Sequence, residues 1–208
     1  MSGSGRPAVI LTDIEGTTTP IAFVRDTLFP FARARLAGFV RERHDTPEIE
    51  AILAATWKEM GDDAASLDSA IAALEGWIDD DRKAPPLKSL QGLIWEAGYR
   101  DGALIAPVYE DAAAALRRWQ ADGIRLAVYS SGSVAAQKLL FGHSDQGDLT
   151  GLFGGWFDLA TGGKLDAASY RRIAGRMGAD PGSILFLSDH PAELDAAHAA
   201  GLCCIRSD

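Results

Sequence analysis

Cysteines and long hydrophobic runs are both scarce in this 208-residue sequence, and each shortage narrows what the protein can be. No stretch approaches the roughly 18 consecutive apolar residues of a membrane span, and the first residues lack the charged-then-apolar order of a secretory signal. Two adjacent cysteines, Cys203 and Cys204, cannot form a disulfide framework or a C-x-x-C metal site. We therefore expect a cytoplasmic protein with free thiols and no membrane partner.

Positive charge is also in short supply. Twenty Lys and Arg against 29 Asp and Glu give a net charge of −9, a field that repels polyphosphate and argues against a nucleic-acid partner. A P-loop is excluded as well, because Gly163-Lys164 is followed by Leu165 rather than by Ser or Thr. Because the net charge is negative, any anionic ligand must be held by a local group of residues. The chain can also bury a sizeable core, since 47 % of its residues are hydrophobic.

What the sequence does contain is a series of short apolar runs separated by helical patterns. The helical patterns cover 108–121, 166–177 and 191–200. Runs that are apolar on consecutive residues and too short for a helix are typical of strands inside a parallel sheet covered by helices. The alternation predicts a doubly wound, Rossmann-like α/β domain, whose ligands bind beyond the carboxyl ends of the strands. The four predicted strands are 8–11, 126–129, 184–187 and 202–205.

The stretch between 20 and 105 breaks this alternation. It contains no convincing strand, and it has several amphipathic helical patterns, which predict a helical cap inserted after the first strand. The helical patterns are 26–43, 47–59, 69–78 and, after the Pro85-Pro86 break, 87–99, with Trp57, Trp77 and Trp95 as the cap's own core. We expect an α/β core of 8–19 and 106–208, a cap of 20–105 and a flexible N-terminus of 1–7.

Polar residues follow three of the predicted strands. Asp13 comes after the first, Ser130 and Ser131 after the second, and Asp189 after the third. In a parallel sheet these strand ends face one crevice. Lys164 would reach the same crevice from a Gly-Gly loop between the second and third predicted strands. Two carboxylates, a pair of hydroxyls and an ammonium are thus expected to converge.

This combination of residues predicts phosphate chemistry. Converging carboxylates repel one another unless a cation lies between them, and hard oxygen ligands suit Mg²⁺. A hydroxyl, the backbone near Gly132 and the Lys164 ammonium could bind phosphate oxygens. Asp13 could attack phosphorus to form an aspartyl-phosphate. Glu15, which points the same way in an extended segment, could protonate the leaving group and then activate water.

The motifs resemble those of the haloacid dehalogenase-like hydrolases. DIEGT at 13–17 is similar to the first motif of that superfamily, Ser130 to the second, Lys164 to the third, and Ser188-Asp189 with Glu193 to the acidic fourth. The superfamily usually has Asp where this chain has Glu15.

A longer resemblance is to the enolase-phosphatases of methionine salvage, also called acireductone synthases. It is carried by DIEGTTTPIAFV at 13–24, LFP at 28–30, YSSGSV at 129–134 and QKLLFGH at 137–143. The similarity runs from Ala8 to the final strand. That family usually continues past this strand, whereas the present chain stops at Asp208.

The resemblance implies a Mg²⁺-dependent phosphoric monoester hydrolase. Such an enzyme enolises 2,3-diketo-5-methylthiopentyl 1-phosphate and then removes the phosphate to give an acireductone. The resemblance implies that Asp13 and Glu15 are catalytic, and that Asp13, Glu15 and Asp189 surround Mg²⁺, with Glu15 contributing through its backbone carbonyl. It also implies that Ser130, Ser131 and Lys164 bind the substrate. We expect a monomer acting on this small phosphorylated diketone.

Two other functions fit parts of the sequence. A phosphatase for another small phosphoester would share every core residue and differ only in the cap. A phospho-accepting receiver module also combines an α/β core, an acidic Mg²⁺ cluster, a hydroxyl and a lysine. Its phosphorylated Asp would sit on a central strand well after an acidic pair, whereas Asp13 precedes a large insertion.

Some polar residues have roles that the sequence leaves open. Glu193 could pair with Lys164, support the metal, or provide negative charge in the first turn of a helix. The four histidines have no ligand spacing, so we expect surface or structural roles, with His190 notable for following Asp189. Ser133 is expected to be a plain turn residue.

Overall fold

A computed structural model describes residues 6–61 and 66–207. The predicted flexible N-terminus falls largely on residues that lie outside this described part. The chain divides into two compact units, one combining the chain up to Phe23 with Ile105 onward, the other comprising Val24–Leu104. The helices, in chain order, are α1 (Ile21–Phe23), α2 (Phe29–Arg43), α3 (Pro47–Met60), α4 (Leu67–Asp79), α5 (Pro85–Arg100), α6 (Glu110–Ala121), α7 (Val134–Gly142), α8 (Ala167–Met177) and α9 (Pro191–Ala199).

The first unit is built on a parallel sheet. The strands are β1 (Val9–Thr12), β2 (Arg125–Tyr129), β3 (Phe153–Phe157), β4 (Ile184–Ser188) and β5 (Cys203–Arg206), in the order β3-β2-β1-β4-β5. This is the strand order of a doubly wound Rossmann-type fold, so the predicted fold class is confirmed. The chain crosses from one side of β1 to the other between β3 and β4. The end of β1 therefore lies at the switch point, where such folds bind their ligands.

The strand predictions are accurate for four strands and miss one. The four predicted runs agree with β1, β2, β4 and β5 to within one residue at each end. Strand β3, with the sequence FGGWF, was missed because two glycines interrupt its apolar run. Lys164 does lie between the predicted runs 126–129 and 184–187, but the additional strand makes these β2 and β4, so the lysine follows β3.

Strand β5 differs from the fully buried strand that its apolar sequence suggested. It lies at the edge of the sheet, where Ile205 is 54 % exposed. Cys203 and Cys204 are both free, as expected. Neighbouring strand residues point to opposite faces of a sheet, which keeps the two thiols apart.

Helices α8 and α9 pack against one face of this sheet. The buried cluster that joins them contains Tyr129 from β2, Tyr170 from α8 and Phe186 from β4. Helix α7 was not predicted. It begins after Ser133, whose Oγ accepts a hydrogen bond from the N–H of Ala136 (3.2 Å), so Ser133 is a helix N-cap rather than a plain turn residue.

The second unit is helical and has a hydrophobic core of its own. A five-residue π-helical segment, Val24–Leu28, leads into α2. Trp77 belongs to the buried cluster and Trp57 and Trp95 pack against it, which confirms their prediction as core residues. Helix α5 includes Pro85 and Pro86 in its first turn instead of starting after them, since the first turn needs no N–H from these positions.

Within the described residues, no helix has both the length and the apolar character required to cross a bilayer.

Candidate active site

Asp13 lies directly after β1, at the switch point of the sheet. Its N–H donates to the carbonyl of Leu187 (2.9 Å), which continues the pairing of β1 with β4 by one residue. The side chain is 8 % exposed. Oδ1 accepts from the N–H of Ile14 (2.7 Å) and lies 2.7 Å from Lys164 Nζ, whereas Oδ2 makes a long contact of 3.5 Å with Ser188 Oγ. Oδ2 is therefore the oxygen better placed to accept a new partner.

Lys164 lies between two carboxylates. Its Nζ is 2.7 Å from Asp13 Oδ1 and 2.7 Å from Glu193 Oε2, and its side chain is 10 % exposed. This pairing agrees with one of the roles left open for Glu193. Ser188 Oγ donates to the same Glu193 oxygen (3.1 Å) and accepts from the N–H of His190 (3.1 Å). Removing one member of so buried a group would leave an uncompensated charge, which is strongly unfavourable.

Burial and charge pairing shift the pKa values of this group. Burial raises the pKa of Asp13 to about 6, with Lys164 opposing the rise and Glu193 adding to it. Burial alone lowers the pKa of Lys164, but Asp13 and Glu193 outweigh this effect and the pKa is raised. At neutral pH, Lys164 is therefore an ammonium and Asp13 is mostly ionised, which is the form that a nucleophile needs.

Asp189 lies against the turn that follows Asp13. Gly16 in this turn has a φ of +74°, and a Cβ there would be 2.2 Å from Asp189 Oδ2, so both the backbone and the space require glycine. Thr17 Oγ1 accepts from the N–H of Asp189 (3.1 Å) and lies 3.0 Å from Ser207 Oγ. These contacts bring Asp189 to the same edge of the sheet as Asp13.

Glu15 is half-buried in this same turn. The turn is closed by hydrogen bonds to the carbonyl of Ile14 from the N–H groups of Thr17, Thr18 and Thr19 (3.2, 2.9 and 2.9 Å). The N–H of Gly16 also donates to the carbonyl of Thr19 (2.8 Å). The chain thus reverses immediately after Asp13.

Ser130 follows β2, and strand register places it at this edge, because Val128 pairs with Thr12. Ser130 is buried, and its Oγ accepts from the N–H of Gly132 (3.1 Å), whereas Ser131 is exposed. Gln137 of α7 fixes this loop through hydrogen bonds to its backbone. Its Nε2 donates to the carbonyls of Gly132 and Phe157, both at 2.8 Å.

Sequence reasoning missed the residues that hold the backbone of the site loops by hydrogen bonds. Thr17, Gln137, Tyr129 and Tyr170 contact the loops that carry the candidate residues. The sequence pattern places Tyr129 at the end of an apolar strand and assigns no role to its phenol. A buried tyrosine beside a glycine-rich loop needs a hydrogen-bond partner, and that requirement is the signal that could have found it.

Comparisons with known proteins agree with this fold. The family model of the haloacid dehalogenase-like hydrolases matches residues 7–201, so the chain belongs to that superfamily. The enolase-phosphatase E1 of Pseudomonas aeruginosa is 56 % identical over 193 residues, which cover 93 % of this chain and 86 % of that protein. That of Granulibacter bethesdensis is 56 % identical over 196 residues, 94 % of this chain and 83 % of that protein. Within the superfamily, the chain belongs to the enolase-phosphatase E1 family.

A solved structure extends the comparison to three dimensions. The crystal structure of the UTR4 protein of Saccharomyces cerevisiae matches with a TM-score of 0.83 at 38 % identity, covering 96 % of this chain and 88 % of that one.

Hydrolases of this superfamily are generally metal-dependent. Among the described residues, no three His, Cys, Asp or Glu side chains are grouped so as to bind a metal by themselves. Mg²⁺, however, is usually bound by one or two carboxylates that are completed by other oxygens, water and substrate phosphate. Asp13 and Asp189 supply two carboxylates at this edge of the sheet, a lining that fits such a cation.

Proposed function

We propose that this chain is an enolase-phosphatase of methionine salvage, which converts 2,3-diketo-5-methylthiopentyl 1-phosphate to acireductone and phosphate. Relatives that are 56 % identical over 93 % of the chain are enolase-phosphatases. One structural observation carries the phosphatase half: the Lys164 ammonium lies 2.7 Å from both Asp13 and Glu193 at the switch point of the sheet.

In the phosphatase half, Asp13 attacks phosphorus and the bond from phosphorus to the substrate oxygen breaks. Water then hydrolyses the aspartyl-phosphate, which releases phosphate and restores Asp13. We assign the attack to Oδ2, because Oδ1 is already held by Ile14 and Lys164. Glu15 protonates the leaving oxygen and later takes a proton from water.

Binding of the phosphate group is assigned to the residues around Asp13. Lys164 binds a phosphate oxygen through a charge-assisted hydrogen bond. Ser130, with the backbone near Gly132, binds the others, and Ser131 contributes its hydroxyl or backbone from the loop's exposed side. When Mg²⁺ is held by Asp13, the Glu15 carbonyl and Asp189, it supplies charge neutralisation at the phosphate and polarisation of the diketone oxygens.

In the enolase half, a base must remove a proton next to a carbonyl. We assign this step to Glu15, since its side chain is one methylene longer than the usual Asp and can reach a carbon as well as a leaving oxygen. If Glu15→Gln exchanged solvent deuterium into the substrate at the wild-type rate, this assignment would be wrong.

The decisive experiment follows Mg²⁺-dependent turnover of the diketone phosphate, with ultraviolet absorbance for the enediol and a separate assay for phosphate. Asp13→Asn should lower phosphate release by at least about 1,000-fold, because the nucleophile is lost, while enolisation persists. The exposed Asp111→Asn is the matched control and should retain both activities.

The same assay tests the alternatives. Preferred turnover of another compound in a panel of small phosphoesters would identify a different phosphatase. Phosphate that remains on Asp13 for hours would instead indicate a receiver module. We further propose that the enzyme is cytoplasmic, because its two cysteines are free and the cytoplasm keeps thiols reduced. We also propose that it is a monomer, which light scattering checks.

A further inference from the structure

The loop that carries Lys164 is held by side chains at three of its carbonyl oxygens. Tyr129 Oη donates to the carbonyl of Gly162 (2.8 Å), and Tyr170 Oη donates to the carbonyl of Lys164 itself (2.7 Å). Arg172 Nε donates to the carbonyl of Thr161 (2.6 Å). The anchors therefore come from β2 and α8, two elements that the hydrophobic core fixes in place.

The two phenols are rigid donors. Tyr129 and Tyr170 are fully buried, their rings meet edge to face at 5.4 Å, and Tyr170 packs against Phe186 at 5.2 Å. Burial raises the pKa of both phenols, so each keeps its proton at neutral pH. Lys164 Nζ lies 5.9 Å from the centre of the Tyr129 ring, so Tyr129 anchors the loop at Gly162 through its hydroxyl and lies near the lysine head group with its ring.

The loop also fits tightly against α8. Gly162 has a φ of +134°, and a Cβ there would lie 2.1 Å from Arg172 Nη2 and 2.2 Å from Ser169 Oγ. The path of the backbone before Lys164 is thus restricted by conformation and by space as well as by the anchored carbonyls.

We propose that Tyr129 and Tyr170 are positioning residues for Lys164, which anchor its loop so that the ammonium sits between Asp13 and Glu193. A lysine side chain has four carbon–carbon bonds to fix, and a loop between strands lacks the ladder of a sheet to hold its backbone. Anchored carbonyls replace that ladder and pre-organise the ammonium before substrate binds. This inference rests on the proposed role of Lys164 in binding phosphate.

The kinetic test uses Tyr129→Phe, Tyr170→Phe and the double variant, which keep the rings and remove only the hydroxyls. Each single change should lower kcat/KM for phosphate release about 3- to 10-fold, the value of one hydrogen bond, chiefly through KM. In a Lys164→Ala background, either change should have no further effect, because the tyrosines act through that lysine. A full additional loss in that background would overturn the proposal.

Thr56→Val is the matched control. Thr56 is fully buried, and its hydroxyl donates to the carbonyl of Ile52 in α3 at 2.8 Å, so it loses the same kind of bond in the helical unit. It should lose stability comparable to that of the tyrosine variants, with kcat/KM unchanged.

A second readout is independent of activity. Lys164 is 10 % exposed, so its amine should react slowly with an acylating reagent, as followed by peptide mass spectrometry. Both tyrosine variants should react several-fold faster, and Thr56→Val should not. Labelling and kcat/KM within twofold of wild type in the double variant would mean that the tyrosines only pack the core.

Labelling also separates this inference from the function on which it rests. Faster labelling in a protein that never turns over the diketone phosphate would support the anchoring and reject the proposed function. Unchanged labelling in an active enzyme would do the reverse. If one tyrosine variant fails to fold, the other decides by the same criteria.

Discussion

At the scale of single residues, the site depends on how the two oxygens of Asp13 differ. Oδ1 is held by the N–H of Ile14 and by Lys164, whereas Oδ2 has one long contact to Ser188. Sequence reasoning identified Asp13, Lys164 and Asp189 from their places after strands. It could not distinguish the two oxygens, nor decide among the roles of Glu193, because both depend on side-chain distances that no spacing encodes.

The first prediction concerns the titration of Asp13 in metal-free protein. Its carboxyl should titrate near pH 6, and Lys164→Met should raise this pKa further, because the ammonium that favours the ionised form is removed. Carboxyl carbon NMR across the pH range measures this. The exposed Lys138→Met is the control and should leave the titration of Asp13 unaltered.

The second prediction concerns Gly16. Gly16→Ala should reduce phosphate release about 100-fold, because its Cβ would displace Asp189 by more than the tolerance of a catalytic geometry. Gly123 also has a positive φ, of +81°, with open space around its Cβ position. Gly123→Ala should therefore cost roughly 1 kcal/mol of stability from backbone strain alone, while its turnover matches wild type. Equal turnover by the two variants would contradict the steric argument.

At the scale of elements, periodicity predicted the parallel strands and most helices but not β3 or α7. Strand β3 carries two glycines, and its middle residues are only partly buried, so it lacks the continuous apolar run that identified its neighbours. Helix α7 spans only nine residues and starts directly after a serine-rich loop, whose residues by themselves indicate a phosphate site more than a helix. Short elements at such places are defined by capping and by tertiary contacts more than by pattern.

The third prediction tests that capping. Ser133→Ala should lower the free energy of unfolding by about 1 kcal/mol, because the N–H of Ala136 loses its acceptor. Urea denaturation provides the measurement. Ser89 is exposed inside α5, so Ser89→Ala should be neutral or slightly stabilising. An unchanged midpoint for Ser133→Ala would show that the cap contributes nothing.

At the scale of the whole molecule, the topology of one unit brings distant parts of the sequence together. Asp13 and Glu193 meet because β1 and β4 are parallel neighbours whose carboxyl ends share an edge, and the loop after β3 places Lys164 between them. The net charge of −9 cannot favour a phosphorylated ligand, so attraction must come from this edge. The sequence predicted the convergence of Asp13 and Lys164, since parallel order follows from strands that are apolar on both faces, but it left the place of Glu193 open.

The fourth prediction concerns metal binding. Mg²⁺ should raise the thermal midpoint in a concentration-dependent way, with about 2.7 kcal/mol of stabilisation at one hundred times the dissociation constant. A chelator should reverse the effect, and Asp189→Asn should weaken it. Differential scanning fluorimetry at several metal concentrations measures this, with the exposed Asp111→Asn as control. A thermal midpoint that stays the same with added Mg²⁺ and with added chelator would argue against the proposed cation site.

The contact between Thr17 and Ser207 has a practical consequence. Ser207 follows the edge strand β5, and Thr17 accepts the amide hydrogen of Asp189. Loss of the Ser207 hydroxyl, by substitution or by deletion of this residue, would therefore remove a contact from the threonine side chain that holds the Asp189 amide, so the last strand and the first turn are coupled through one hydroxyl pair.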